Sequence, residues 1–437
     1  MRKFFILYLF LFSSVNVMAV ERIDITSGKV DPLPIANVQF LGSDGLAKET
    51  AKEILQVINN DLQGTGLFKI ISSAAYIETI TNLKIAPKFS AWRQINASAL
   101  LTGEVFNISS GDIRVEYHLW DPYSEKSIKA GIYQGKEKEW RRISHKIADD
   151  IYKSLTGEEG YFNTKIVFIA ESGPGKHRTK KLAIIDQDGA NLKYLSDGRN
   201  LTLTPRFSPD NHKILYLAYV NNKPRVHLRD LNTSKDMVLG HFKGMTFAPH
   251  FSPNGQESTM STAIGGSTDI VLTDMKSMRS KRITSGAYIN TSPYFSPDGE
   301  KITFISDRSG SSQIYIMNKD GSDQQRISFG PGRYYTPIWS PRGDFIAFTK
   351  SYQGEFYLGV IRTDGSGERT LTSGYVIDNP TWSPNGRVIM YAKTDRYKKN
   401  DKSLKSTLYA IDLTGNFERM LKLPTDASDP NWSRVLK

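Results

Sequence analysis

The chain has 437 residues, 39% hydrophobic and 11% aromatic, with 34 glycines and 19 prolines, which suits a turn-rich protein of two or more domains with ample core. It has no cysteine, which excludes disulfides, thiolate metal sites and cysteine nucleophiles. The formal charge is +12, but Lys and Arg are scattered, with short clusters only at Lys176 to Lys181 and Tyr397 to Lys402, so the balance reads as a dispersed basic surface and not as a nucleic-acid footprint.

Met1-Arg2-Lys3 is a short positive start, and Phe4 to Phe12 is an apolar run ending, after small and polar residues, at Val17-Met18-Ala19. Signal peptidase reads this pattern, so residues 1–19 are expected to be a signal peptide. The run is too short to span ~30 Å of hydrocarbon comfortably. Residues 20–34 form an extended segment with no helical pattern. Spacing alone reads it as an ordinary terminus, although Ile23 and Ile25 alternate with Arg22, Asp24 and Thr26, as in a strand offered to another sheet's edge. Residues 35–157 read as a small α/β domain. Its strands are Ala36–Phe40, Phe68–Ile70, Ser98–Val105, Ile113–Trp120 and Ile128–Tyr133. A helix over Leu46–Leu62 follows from Ala47, Ala51, Ile54, Leu55, Ile58 and Leu62, with Gly64 as its stop. A second, Lys138–Leu155, carries Trp140, Ile143, Ile147, Ile151 and Leu155 on one side.

From residue 158 onward one phrase recurs: Pro205-Arg-Phe-Ser-Pro-Asp210, then copies from Pro249, Pro293, Pro337 and Pro380, and a truncated Pro430-Asn-Trp-Ser433. The period, about 44 residues, is that of a propeller blade or a solenoid unit, and the contents of each unit choose between them. Each copy holds four short alternating runs separated by turns such as Asp320-Gly321, a meander of strands. The first unit, from Lys165, lacks a Phe-Ser-Pro strand, and the chain ends with one. The two fragments complete each other, which predicts a six-bladed β-propeller over 158–437 closed by the strand near 430–433. The fold class is therefore mainly β, with a small α/β domain ahead of the ring. The third-position aromatics (Phe207, Phe251, Phe295, Trp339, Trp382, Trp432) read as inter-blade core.

A search for chemistry finds none. The histidines at 118, 145, 177, 212, 227, 241 and 250 show no metal-ligand spacing, and there is no H-E-x-x-H, G-x-S-x-G, G-x-G-x-x-G, P-loop or EF-hand loop. No catalytic, cofactor or metal residue is assigned. The natural binding surface is one face of the ring, built from loops joining second and third strands, as at Asp307–Gly310, and from loops ahead of each Pro-x-aromatic strand: Leu201–Thr204, Met245–Ala248, Ile289–Ser292, Tyr334–Thr336, Val376–Asn379 and Ala427–Asp429. Met245, Phe247, Tyr334, Tyr335 and Tyr375 are there either exposed anchors of a protein interface or inward packing.

The signal peptide, the α/β domain and the Phe-Ser-Pro-Asp-Gly repeats resemble the TolB family, periplasmic components of the Tol–Pal system. The segment Val20-Glu-Arg-Ile-Asp-Ile25, Leu155-Thr-Gly157 and the terminal Pro430-x-Trp-Ser sharpen the likeness, which covers the whole mature chain. It implies a non-enzymatic, monomeric periplasmic scaffold without cofactor. Glu21, Arg22, Ile23, Asp24 and Ile25 would contact the inner-membrane protein TolA, and the propeller face would bind the peptidoglycan-associated lipoprotein Pal through Thr246, Ala248 and Thr291, joined by Met245, Tyr334 and Tyr335. The implied role is envelope integrity and outer-membrane constriction during cell division. The rival reading is a periplasmic propeller hydrolase or lyase acting on peptides or sugars, which needs acids or histidines clustered at the channel mouth.

Overall fold

Alternation and helical spacing build the first layer. The computed structural model describes residues 31–108, 111–173, 178–240, 242, 244–394 and 405–437. The expected signal peptide and Glu21–Ile25 lie outside the described residues. The elements before the repeats are β1 (Leu33–Asn37), β2 (Leu41–Gly42), α1 (Gly45–Gln63), β3 (Phe68–Ile70), α2 (Phe89–Gln94), β4 (Ala99–Ile108), β5 (Asp112–Asp121), β6 (Lys126–Lys136) and α3 (Trp140–Thr156). The strand read over Ala36–Phe40 is found earlier in the chain, as β1 over Leu33–Asn37, with β2 lying just past the read range, and the short α2 carried too little periodicity to be read. The sheet runs β3-β1-β4-β5-β6, with β1 parallel to both neighbours and β4, β5 and β6 antiparallel.

The apolar stripes of α1 and α3 bury against one face of this sheet, where Ile54, Ile58, Ile147 and Ile151 meet Val115, Tyr117 and Leu119. Trp92 of α2 packs on the other face with Leu100 and Val38. The Asp44 carboxylate accepts the Ala47 N–H at 2.9 Å and caps α1.

Six four-stranded antiparallel sheets follow, as the repeat predicts. Blade 1 is composite: the C-terminal strand Asp426–Trp432 pairs with Lys165–Ser172, the first strand of the propeller. Blades 2 to 6 start with the inner strands Thr202–Phe207, Met245–Phe251, Asn290–Phe295, Arg333–Trp339 and Val376–Trp382.

In blades 2, 3, 4 and 6 the repeated Ser locks the hairpin after the inner strand. Ser296 Oγ donates to Asp298 Oδ1 at 2.5 Å and accepts the Lys301 N–H at 2.9 Å. Ser208, Ser252 and Ser383 do the same in their blades. Gly321, in an outer turn, has φ +95°, and a Cβ there would lie 2.0 Å from the Ile283 carbonyl oxygen, so the turn needs glycine. The repeat aromatics are core: Phe251, Phe295, Trp339, Trp382 and Trp432 are buried and Phe207 is half-buried.

Candidate functional site

The segments read as loops ahead of each Pro-x-aromatic strand are in fact parts of the inner strands. Each inner strand carries a register shift, at Leu203/Arg206, Phe247/His250, Thr291/Tyr294, Tyr335/Ile338, Asp378/Thr381 and Ser428/Asn431. In every blade the residue just before the repeat Pro, or its equivalent, sits in the left-handed region: Thr204, Ala248, Ser292, Thr336, Asn379 and Asp429, with φ between 42° and 53°. Non-glycine residues rarely adopt this conformation, at a cost of about 1–2 kcal/mol each. The physical reason for the correction is that a bulge adds a residue without ending the strand. All six strained residues line one cavity of about 630 Å³ at one end of the ring.

A second cavity, of about 560 Å³ and lined by the Ser-Pro turns and Arg434, opens at the other end. His250 and Tyr294 line both cavities. Their rings stack at 3.6 Å between centroids and stand between the two. Arg206, His250 and Tyr294 hold the same place in blades 2, 3 and 4, directly after the repeat Pro; Ile338, Thr381 and Asn431 hold it in the rest. The period-two alternation with the core aromatic was the signal that could have placed these side chains on the channel.

Burial, helped by the Arg206 cation, pushes the His250 imidazole down to about 3, so it stands neutral. Across the channel, Asn379 Nδ2 donates to Asp429 Oδ1 at 3.0 Å. Burial and then the Asp429 charge push Asp378 up to about 6. A carboxyl raised on folding contributes stability that is full below its unfolded value near 3.9 and is lost as pH rises through about 6. Asp378→Asn is therefore expected to raise the melting temperature at pH 8 and to change it little at pH 4, as differential scanning fluorimetry would read.

Histidine and acids do gather in the channel, yet among the described residues no carboxylate hydrogen-bonds His250.

The site residues read from sequence separate by depth. Met245 is 40% exposed at the rim, and Tyr375 is 38% exposed. Phe247, Ala248 and Thr291 line the cavity and are half-buried. Thr246 is fully buried, and its Oγ1 accepts the Val226 N–H at 3.1 Å. Of the two readings open for Tyr334 the structure shows packing: it is fully buried, and its hydroxyl donates to Glu368. Tyr335 is half-buried beside Ser351, 3.3 Å between hydroxyl oxygens.

A second polar cluster was invisible to spacing because it joins distant segments. His145 of α3, Asp186 and Asp188 place ligand atoms within 4.8 Å of one another. Each acid already holds a cation, Lys165 on Asp186 and Arg141 on Asp188, both at 2.6 Å, and His145 Nδ1 lies 2.6 Å from Asp61. Three acids meet three cations, which is the balance of a closed ion network and leaves no charge for a metal to neutralise.

Two family models match the chain: the TolB amino-terminal domain over residues 21–128 and the TolB β-propeller domain over residues 152–436. The chain belongs to the TolB family. The Tol-Pal system protein TolB of Paramagnetospirillum magneticum is 60% identical over 418 residues, covering 96% of this chain and 94% of the relative. That of Rickettsia bellii is 51% identical over 433 residues, 97% of each chain. The crystal structure of TolB from Acinetobacter baumannii aligns with a TM-score of 0.82 at 25% identity, covering 94% of this chain and 99% of that one. The TolB-family assignment thus spans both the α/β domain and the ring. No helix among the described residues is long and apolar enough to cross a membrane.

Proposed function

We propose that this TolB-family chain is a periplasmic, non-catalytic scaffold of the Tol–Pal system. It binds Pal through the cavity ringed by the six bulges and TolA through Glu21–Ile25, linking outer and inner membranes for envelope integrity and constriction at division. It acts as a monomer, without nucleic acid. The observation that carries the reading is the repetition of one strained residue in all six blades around one opening. Six local costs recur at one rim, where strain is expected to serve recognition. Family membership supplies the partner class. Mature protein should capture the periplasmic domain of Pal in a pull-down. Ala248→Arg and Thr291→Arg, which fill the cavity, should each weaken capture at least tenfold while circular dichroism is unchanged; retained capture would sink the assignment. Deleting Val20–Thr26 should abolish TolA capture and spare Pal.

A further inference from the structure

β6 is the last strand of its sheet and is eleven residues long. One edge pairs with β5 along its whole length, and no strand among the described residues pairs with the other. In an antiparallel ladder, directly opposed residues alternate between pairs that exchange hydrogen bonds and pairs that do not. The Glu137 N–H donates to the Gly111 carbonyl opposite it at 3.0 Å, which sets the alternation. Gly135, Tyr133 and Gly131 therefore bond to β5, and Gln134, Ile132 and Ala130 turn their N–H and C=O groups toward the free edge.

The surroundings say what fits there. Ile132 is 58% exposed on the open face of the strand. On the opposite face α3 stands beside the strand, with Lys146 Nζ 5.7 Å from the centre of the Tyr133 ring. Asp150, the acid nearest that ring, accepts the Tyr117 and Tyr133 hydroxyls at 2.6 and 2.7 Å. β6 itself carries Lys126, Lys129 and Lys136 and no acid. Lys136 is paired with Asp112, whereas Lys126 and Lys129 are exposed and make no ion pair among the described residues. A second β6 laid against this edge would set lysine against lysine, so the charge rejects another copy of the chain. The same charge favours an acidic strand.

We propose that the free edge of β6, beside α3, is a β-augmentation site for an extended acidic segment of a partner protein. The incoming strand gains main-chain hydrogen bonds from Ala130, Ile132 and Gln134, and its acids meet Lys126, Lys129 and Lys146. This surface lies in the α/β domain, and the proposal is independent of the cavity and of its occupant.

The test titrates mature protein with a fluorescent peptide alternating glutamate and valine, and with the same peptide carrying lysine in place of glutamate. The expected result is saturable binding of the acidic peptide alone, with slowed amide exchange at Ala130, Ile132 and Gln134. Gln134→Pro removes an outward N–H that the native ladder does not use, so it should keep the melting transition and weaken binding at least tenfold. The double variant Lys126→Glu/Lys129→Glu should do the same while keeping every backbone donor. Absence of binding by the acidic peptide, equal binding of both peptides, indifference to these variants, or dimerisation through β6 would each overturn the proposal.

Discussion

Deletion of residues 426–437 is expected to abolish the cooperative unfolding transition and leave an aggregating chain. The C-terminal strand does more than complete a sheet. It pairs with Lys165–Ser172 in blade 1 and reaches both neighbouring blades: Asn431 Oδ1 accepts the Phe207 N–H at 2.8 Å, and the Trp432 N–H donates to Thr381 Oγ1 at 3.0 Å. Trp432 Nε1 donates to Thr164 Oγ1 at 2.8 Å, and its ring meets Tyr161 edge-on at 5.7 Å. Without the strand, blade 1 offers a bare apolar edge and the ring has two open flanks, the arrangement that invites edge-to-edge association. A milder probe is Trp432→Ala, which leaves the ladder but removes a side chain only 6% exposed. It should cost about 3–5 kcal/mol by guanidinium titration, the range for a buried large aromatic. A cost under about 1 kcal/mol, the level of an ordinary surface change, would mean that the ring does not depend on this closure.

Why so much was legible follows from where the information sits. Blade number and turn chemistry are local: Pro, Ser, Asp and Gly at fixed offsets state the inner strand, the hairpin lock and the positive-φ turn in one short phrase. The helices α1 and α3 declared themselves by a single apolar stripe each. The rim did not. A bulge leaves no residue type of its own, since Thr, Ala, Ser, Asn and Asp all occupy the strained position, so strand and loop could not be told apart there. Burial at the rim was equally hidden. Tyr334 reads like Tyr335 in sequence, but strand alternation buries the first, with its hydroxyl on the half-buried Glu368, and sets the second beside Ser351. The pairing of Asp61 with His145, 84 positions apart, has no local signature at all.

That pair is expected to be the most sensitive polar contact in the molecule. Asp61 of α1 and His145 of α3 are 4% and 3% exposed, and Gln187 of the propeller donates from Nε2 to Asp61 Oδ1 at 2.8 Å. Burial pushes the imidazole down, but the Asp61 carboxylate outweighs it and lifts the group up to about 9, so the ring is an imidazolium at neutral pH. Removing one partner strands the other charge in the interior. Asp61→Ala should therefore cost about 3–5 kcal/mol at pH 7, whereas Asp61→Ala combined with His145→Leu, which removes both charges, should recover a large part of that loss. The sign with pH follows from a raised folded value. For the imidazole the stabilisation is complete below the unfolded value near 6.5 and is lost as pH rises through about 9, while burial raises the Asp61 carboxyl, so protonation of that group ends the pair at the acid side. The coupling from a double-mutant cycle should accordingly be larger at pH 6 than at pH 10. A coupling independent of pH would show that the contact is held as a neutral hydrogen bond and not as an ion pair. Because Gln187 and Asp188 bring the propeller to the same cluster, loss of Asp61 should also loosen the α/β domain from the ring, read as faster amide exchange in Gln187 and Asp188 before global unfolding.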